Sequence, residues 1–360
     1  MKLQQRNVPS RFLDAVRQLR TRPYLLITTL VGGLAFVIAG ATYHSRPVSA
    51  TTPPSSMLDM AVPSVSLPVA DSVRYWQAPD GSKLPAGVAG KEIQYGRDLI
   101  AHTAKYLGPK GTVKAISNGM NCQNCHLDAG TKVMGNNYSA VAATYPKFRQ
   151  RSGTREGIVK RISDCFERSL NGTAPDSSSR EMRAMVAYMK WLGADVPTGE
   201  TPKGAGLAKL PYLNRAADPV KGKLVYVAQC QVCHGAKGEG TQTPGATEYT
   251  FPPMWGPFSY NDGAGLYRLS NFAGYVKNNM PFGISYETPV LTDAQCWDVA
   301  AYVNSMPRPH KDQHSDWPSA AAKPIDFPFG PYTDSFSEKQ HKFGPYQSIA
   351  TARKATDARK

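Results

Sequence analysis

The sequence predicts a mainly α-helical protein built from two similar units in tandem. Two observations support this: a Cys-x-x-Cys-His motif occurs twice, and each copy lies between a helix with apolar spacing and a second, capped helix. At 360 residues the chain is long enough for two domains. Its 29 prolines and 31 glycines predict long loops within each unit.

The repeated motifs are typical of c-type haem attachment, in which two thiols bond the porphyrin and the imidazole ligates the iron. Their residues are Cys122, Cys125 and His126 in the first copy, and Cys230, Cys233 and His234 in the second. Paired Cys-x-x-Cys motifs also bind zinc, but here more than a hundred residues separate the pairs and a histidine follows each at once. The sequence therefore predicts two covalently bound haems c in two tandem cytochrome c domains.

The helices that open and close each unit can be placed from their spacing and caps. The opening helices are predicted over 90–100 and 221–228, and the closing helices over 181–192 and 292–304. Ser178 with Glu181, and Thr292 with Gln295, have the spacing of a capping box, so each closing helix has a defined start.

An N-terminal transmembrane helix or signal anchor is predicted before the first unit. Residues 24–43 are an uncharged apolar run of 20, preceded by six basic residues within 1–23. The alternative is a cleaved signal peptide, for which 48–50 offer a small-residue site. Either reading exports the haems, so we expect a periplasmic protein, anchored to the inner membrane through this helix or released after cleavage.

The chain therefore divides into seven segments. They are a cytoplasmic basic segment (1–23), the transmembrane anchor (24–43), a flexible tether (44–72), a catalytic cytochrome c domain with haem 1 (73–193), a linker (194–217), an electron-transfer cytochrome c domain with haem 2 (218–307) and a C-terminal extension (308–360). The aromatic residues of the extension predict that it packs on a folded surface, with its last dozen residues disordered. The net charge of +15 favours membrane orientation and attraction of anions, and no nucleic-acid module is present.

The second unit has a methionine in the loop where an electron-carrying haem takes its distal ligand. Met280 lies 46 residues after His234 and is followed by a proline. A thioether favours Fe(II) and raises the potential of the haem. Met254 and Lys277 are weaker alternatives for this ligand, and a methionine that only fills the core is a third.

The first unit has no methionine at the matching place. Met134 is only eight residues past His126, and the methionines of the closing helix are more simply core residues. Cys165 lies in the loop instead, 39 residues past His126, and four basic residues come before it: Arg151, Arg155, Lys160 and Arg161. Cations favour the thiolate form, which ligates metals and attacks electrophiles. We therefore expect Cys165 to ligate the first iron; burial as a small apolar residue and a disulfide with Cys296 are the alternatives.

Several stretches resemble the dihaem thiosulfate dehydrogenases. They are the spacing of Arg151, Arg161 and Cys165, and the runs 164–172, 185–193 and 291–305. The likeness covers about 72–310. It implies an oxidoreductase that joins two thiosulfates to tetrathionate and releases two electrons, with some members working in reverse.

The resemblance also implies roles for individual residues. His126 and Cys165 would ligate the active-site haem, His234 and Met280 the electron-transfer haem, and Arg151 and Arg161 would bind substrate. Some relatives have a lysine just before the distal methionine and can switch ligands; here that residue is Asn279, so the switch is in doubt.

Elementary chemistry agrees with this interpretation. Two dianions must meet, and guanidinium groups offset their repulsion while donating paired hydrogen bonds to sulfonate oxygens. Two haems can hold two electrons before a cytochrome c-type or other periplasmic acceptor collects them. Cys165 either forms a transient S–S link with thiosulfate or stays a ligand during outer-sphere oxidation.

Two other classes of protein remain open. A non-enzymatic, membrane-tethered dihaem electron carrier would have His/Met ligation at both haems. A dihaem peroxidase would need an open site with acid–base residues, and the sequence offers none.

Overall fold

Two pairs of crossed helices form the frame, one pair around each haem motif. In the computed structural model, which describes residues 74–358, the long helices of the first unit are α1 (Gly87–Ala101), α5 (Ile158–Arg168) and α6 (Arg180–Leu192). Those of the second are α7 (Pro219–Gln229), α9 (Leu269–Asn279) and α10 (Asp293–Ser305). Short helices are α2 (Thr103–Leu107), α3 (Leu127–Gly130), α4 (Val141–Thr144) and α8 (Gln231–His234), and the extension has α11 (Glu338–Phe343) and α12 (Tyr346–Asp357).

Two small antiparallel ribbons complete the structure. In the first unit β1 (Lys147–Arg149) pairs with β2 (Thr154–Glu156), so that Phe148 faces Arg155. In the second, β3 (Thr241–Gln242) pairs with β4 (Tyr249–Phe251), with an irregularity in the register. The protein is therefore mainly helical, as predicted.

Each helix pair crosses at a glycine. A Cβ on Gly96 of α1 would lie 2.0 Å from the carbonyl oxygen of Ala184 in α6. A Cβ on Gly222 of α7 would likewise lie 1.9 Å from the carbonyl oxygen of Asp298 in α10. Since only glycine permits so close an approach of two backbones, α1/α6 and α7/α10 repeat one packing arrangement.

The two cores are built from these crossings. In the first, Leu99 and Ile100 of α1 pack with Met182, Met185 and Tyr188 of α6 among fully buried side chains. The predicted role of these methionines as core residues is confirmed. The second core centres on α10, where Cys296, Trp297 and Val299 are buried.

The predicted capping box is confirmed for one closing helix and wrong for the other. Thr292 and Gln295 form the predicted capping box at the start of α10. At α6, however, the N-cap is Ser179, whose hydroxyl accepts from the backbone N–H of Met182. Ser178 instead donates to Asp176, so the predicted capping box of Ser178 and Glu181 is wrong by one residue.

The extension packs on the folded surface through its aromatic residues, as expected. Tyr346 and Ile349 are buried in the second core, and Phe327 is 3% exposed. The expectation that the last dozen residues are disordered is wrong for the described part of that stretch, because α12 continues to Asp357. Burial of Ile349 is what holds that helix in place.

Hydrogen bonds join the two units within one compact body. Tyr275 of α9 donates its hydroxyl to the carbonyl of Asn124 in the first haem motif, at 2.9 Å. Asn279 donates to the carbonyl of Met134 at 3.0 Å, and Asn261 to that of Glu167 at 2.8 Å. The segments predicted over 1–23, 24–43 and 44–72 lie outside the described residues. Within 74–358 no helix is long and apolar enough to cross a membrane.

Candidate haem and substrate sites

The first haem motif opens onto a cavity of about 160 Å³. Cys122, Cys125 and His126 contribute to one wall, and Arg161 and Cys165 of α5 to another. Most of the remaining lining is apolar, from residues such as Ile162, Phe166 and Met189. Three of the predicted catalytic and ligating residues therefore meet in one place, although 39 residues separate His126 from Cys165.

The imidazole of His126 is held so that one ring nitrogen is left for a metal. Its Nδ1 lies 2.5 Å from the carbonyl oxygen of Asn136, which can only accept, so Nδ1 carries the proton. The ring stacks on Tyr138 at 4.5 Å. Burial lowers the pKa of His126 to about 4, against a smaller opposing effect of the Asn136 bond. The neutral ring thus keeps Nε2 free, in the orientation that metal-bound histidines use.

Cys165 lies on a helix and not in a loop, contrary to the sequence-based expectation. Arg161, Cys165 and Ser169 follow each other at intervals of four residues, Ser169 being the C-cap of α5, and so share one face. All three line the first haem cavity. The buried residues Ile158, Ile162 and Phe166 fix this rotation of α5 because they belong to the first core.

The alternatives for Cys165 fare poorly. Cys296 is fully buried within the second core while Cys165 lines the first haem cavity, and both are free thiols. The disulfide is therefore not formed. Nor is Cys165 sealed in the core, since it is partly exposed. The electrostatic interaction with Cys165 is the main reason that the pKa of Arg161 is raised above its usual value; burial acts in the opposite direction and is the smaller effect.

Arg151 lies apart from the first haem cavity. Its Nη1 donates to the carbonyl of Gly263 at 2.9 Å. It lines a neighbouring polar cavity of about 140 Å³, which it shares with Arg161. Burial, then the nearby Arg168, lowers its pKa to about 10, so it stays cationic at neutral pH. Of the two arginines expected to bind substrate, only Arg161 reaches the cavity of Cys165.

The second haem motif opens onto a larger cavity of about 300 Å³. Cys230, Cys233 and His234 line it together with Met280 and Met254. The imidazole of His234 repeats the arrangement seen in the first unit, because its Nδ1 donates to the carbonyl of Pro252 at 2.8 Å.

Of the candidate distal ligands, Lys277 is already engaged. Its amine donates to the carbonyl of Leu291 at 2.9 Å and pairs with Asp293 at 2.7 Å. Met280 caps the end of α9 and lines the cavity, as does Met254. Asn279 turns away to bond the carbonyls of Met134 and Tyr275.

Comparison with known proteins identifies the family. Residues 112–197 match the SoxA/TsdA cytochrome c domain, and residues 219–307 match cytochrome c. The chain is 38% identical over 235 residues to a thiosulfate dehydrogenase of Stutzerimonas stutzeri, covering 65% of this chain and 73% of the relative. It is 33% identical over 300 residues to a thiosulfate dehydrogenase of Thiomonas intermedia, covering 83% and 88%. The chain belongs to the dihaem thiosulfate dehydrogenase family.

A solved structure gives the same result for the fold. The as-isolated form of thiosulfate dehydrogenase (TsdBA) from Marichromatium purpuratum superposes with a TM-score of 0.61 at 33% identity. The match covers 66% of this chain and 50% of that chain, so half of the solved chain has no counterpart in the match. As a member of this family, the protein carries two covalently bound c-type haems.

The two sites fit such haems by their chemistry. Each has two thiols at the attachment spacing, an imidazole whose Nδ1 is bonded and whose Nε2 is free, and a sulfur-bearing side chain in the same mostly apolar cavity. The zinc alternative lacks a ligand set, because no cluster of three or more His, Cys, Asp or Glu suited to a metal occurs within 74–358.

The two haem cavities share a wall. Cys125 of the first motif lines both, and Asn124 also reaches the second. Sequence reasoning did not find this contact, nor Ser169, nor the carbonyls of Asn136 and Pro252. Ser169 could have been found, because it follows Cys165 by one helical turn. The carbonyls could not, since any residue type supplies one.

Proposed function

We propose that this member of the family oxidises thiosulfate to tetrathionate at the first haem cavity, and passes two electrons through the second domain to an external acceptor. The observation that carries the proposal is that Arg161 and Cys165, one turn apart on α5, line the same cavity as Cys122, Cys125 and His126. An electron carrier needs neither a cation nor a thiol at that place.

Arg161 is well suited to hold a thiosulfate dianion. Within residues 74–358 its guanidinium makes no hydrogen bond and no ion pair, although it is partly buried. A guanidinium has five N–H donors in a planar fork, which matches the oxygens of a sulfonate. In a partly dehydrated cavity the attraction to a dianion is much stronger than in water. Arg161 would therefore orient the terminal sulfur of thiosulfate toward Cys165.

We assign ligand roles on the same basis. His126 and Cys165 would hold the first iron, and His234 and Met280 the second. Each haem, when bound, takes up one electron at a time, so two of them match a reaction that releases two. Cys165, as a thiolate, would either form an S–S bond with the terminal sulfur of thiosulfate, with two electrons passing to the haems and the thiolate released again when the second thiosulfate attacks, or remain an iron ligand during outer-sphere oxidation.

The test is direct assay of the holoprotein with thiosulfate and ferricyanide, followed by analysis for tetrathionate. Cys165→Ser, with both haems attached, should lose nearly all turnover, while Cys296→Ala, a change at the other free thiol, should keep it. Full turnover in Cys165→Ser would contradict the assigned role. The near-infrared spectrum of the oxidised protein separates the main alternative: two His/Met bands would favour a dihaem electron carrier.

The acceptor and the direction of turnover extend the proposal. Val232 and Phe282 line the second haem cavity and are 86% and 75% exposed, which supports the approach of a small acceptor such as a cytochrome c at this edge. We propose that the reaction is reversible, and that reduced viologen with tetrathionate will report the reverse direction.

We further propose a periplasmic protein held to the inner membrane by residues 24–43. Support comes from the apolar run and the basic residues before it. The domain limits 73–193 and 218–307, with a linker at 194–217, remain our division of the chain. Mass spectrometry of the mature protein would detect cleavage near 48–50, which would replace the anchor by a signal peptide.

A further inference from the structure

The polar cavity beside the first haem cavity, here called the arginine cavity, enters the proposed function only through Arg161, which lines both cavities. Its volume of about 140 Å³ has room for several waters at roughly 30 Å³ each, and hence for a small oxyanion. Five arginines line it: Arg149, Arg151, Arg161, Arg168 and Arg268. Glu156 and Asp164 are the acids of the wall. Even with Asp316 and Asp326, which pair with Arg168 and Arg268, cations are in excess.

Arg168 is the residue that points to a ligand. It is 8% exposed, and its Nη2 donates to Asp316 at 2.8 Å. Its Nε and Nη1 are buried and have no hydrogen-bond partner among the described residues. Buried N–H groups of a cation are costly to leave unpaired, so a group that completes them is expected in the cavity.

The extension supplies the second donor. Trp317 lines the arginine cavity, and its indole Nε1 is also buried without a partner among the described residues. Its backbone N–H donates to the carbonyl of Arg151 at 2.6 Å, and its ring lies 5.7 Å from the Arg151 guanidinium. Its φ of +62° is unusual for a bulky residue, so packing holds it there.

Unpaired buried nitrogens alone do not identify a ligand site, as Arg308 shows. Arg308 also has buried Nε and Nη1 atoms without partners. Its guanidinium, however, lies over the rings of Tyr260 and Tyr267, at 4.3 and 5.1 Å, and it does not line the arginine cavity. Aromatic faces satisfy a guanidinium in part. Arg168 has no such ring contact in the described part of the chain, and it faces a cavity.

The arginine cavity is adjacent to the space that Cys165 lines, because the cavities share lining residues. A small cavity of about 100 Å³ is lined by Cys165 and His126 on one side and by Gly265 and Asn271 on the other. Gly265 and Asn271 also line the arginine cavity, and Arg161 and Ser169 line all three cavities. An anion between Arg168 and Trp317 would thus lie one small cavity away from an anion held by Arg161.

We propose that the arginine cavity is a second oxyanion subsite, in which Arg168 and the indole of Trp317 hold the sulfonate of the second thiosulfate or the outer sulfonate of tetrathionate. The choice of ligand rests on the proposed function. Joining two thiosulfates forms one S–S bond and releases two electrons to the acceptor, and it requires two dianions side by side. Separate cationic subsites, one at Arg161 and one at Arg168, allow both to bind before the bond forms.

The test uses inorganic sulfate as an unreactive probe, with calorimetry on the oxidised holoprotein. Trp317→Phe keeps the ring and removes only Nε1, and Arg168→Lys keeps the charge but loses the planar fork. We expect sulfate binding about tenfold weaker in Trp317→Phe, the size of one hydrogen bond to a charged group, and the KM for thiosulfate to rise similarly with kcat little changed. Trp191→Phe and Arg308→Lys are the matched controls and should match the wild type.

Two failures can be told apart. If wild-type protein makes tetrathionate but neither variant changes sulfate affinity or KM, the subsite is wrong and the proposed function stands. If wild-type protein makes no tetrathionate, the proposed function fails, while the sulfate titration still decides the subsite. Wild-type protein that binds no sulfate would also overturn the subsite. Haem absorbance and thermal unfolding verify that each variant is folded.

Discussion

Substitution of Arg161 by glutamine separates catalytic electrostatics from stability. The Arg161 guanidinium has no hydrogen bond or ion pair within 74–358, and it is one of the cations that lower the pKa of Arg151. Its removal therefore breaks no hydrogen bond or ion pair: it relieves repulsion with Arg151 but loses the attraction of the Cys165 sulfur, the main cause of the raised pKa of Arg161. We expect the free energy of unfolding to change by no more than about 0.5–1 kcal/mol.

The effect on turnover should be much larger. A hydrogen bond to a charged group contributes about 1.5–3 kcal/mol, and each 1.4 kcal/mol corresponds to about tenfold. Loss of two such bonds to a sulfonate lowers kcat/KM by about 100-fold or more. Initial rates with thiosulfate and ferricyanide measure this, and urea titration measures stability. Arg155→Gln, a change at an exposed arginine on β2, is the control. If Arg161→Gln stayed within about threefold of wild type with both haems attached, the substrate role of this arginine would be refuted.

Two further predictions concern the second domain and the extension. Met280→Leu should remove the near-infrared His/Met band and lower the midpoint potential of the second haem, because a thioether favours Fe(II), whereas Met254→Leu should change neither. Asp326→Ala should reduce the free energy of unfolding, measured by urea titration, by about 3 kcal/mol. Asp326 is 2% exposed and accepts hydrogen bonds from Arg268 and from Ser270, so its loss leaves the partly buried guanidinium of Arg268 unpaired. Asp312→Ala, at an exposed carboxylate of the same extension, should cost little, and equal effects would contradict the reasoning.

Local signals made most of the fold predictable. The haem motifs, the capping box at Thr292 and the methionine stripe of α6 each depend on residues within a turn or two, and each lies where the sequence placed it. The same kind of signal was available for α5, since Ile158, Ile162 and Phe166 recur at helical spacing. Cys165 was predicted to lie in a loop because this helical spacing was not taken into account.

Contacts between distant parts of the chain could not be predicted in this way. Arg168 and Asp316 are 148 residues apart, and neither carries a periodic pattern that would pair them. The helix at the end of the extension could not be predicted either, because α12 is stabilised by the burial of Ile349 in a core formed by other segments. Such placements depend on which surfaces meet after each unit has folded.

Cys125 belongs to the walls of both haem cavities, and this ties the maturation of one site to the other. In a chain that carries only the second haem, the part of the second haem cavity formed by the first motif would not yet have its final conformation. We therefore expect losing the first attachment, as in a change of Cys122, to disturb the spectrum of the second haem as well. The two domains would then mature cooperatively, and molecules with a native second domain beside a first domain that lacks its haem would not accumulate.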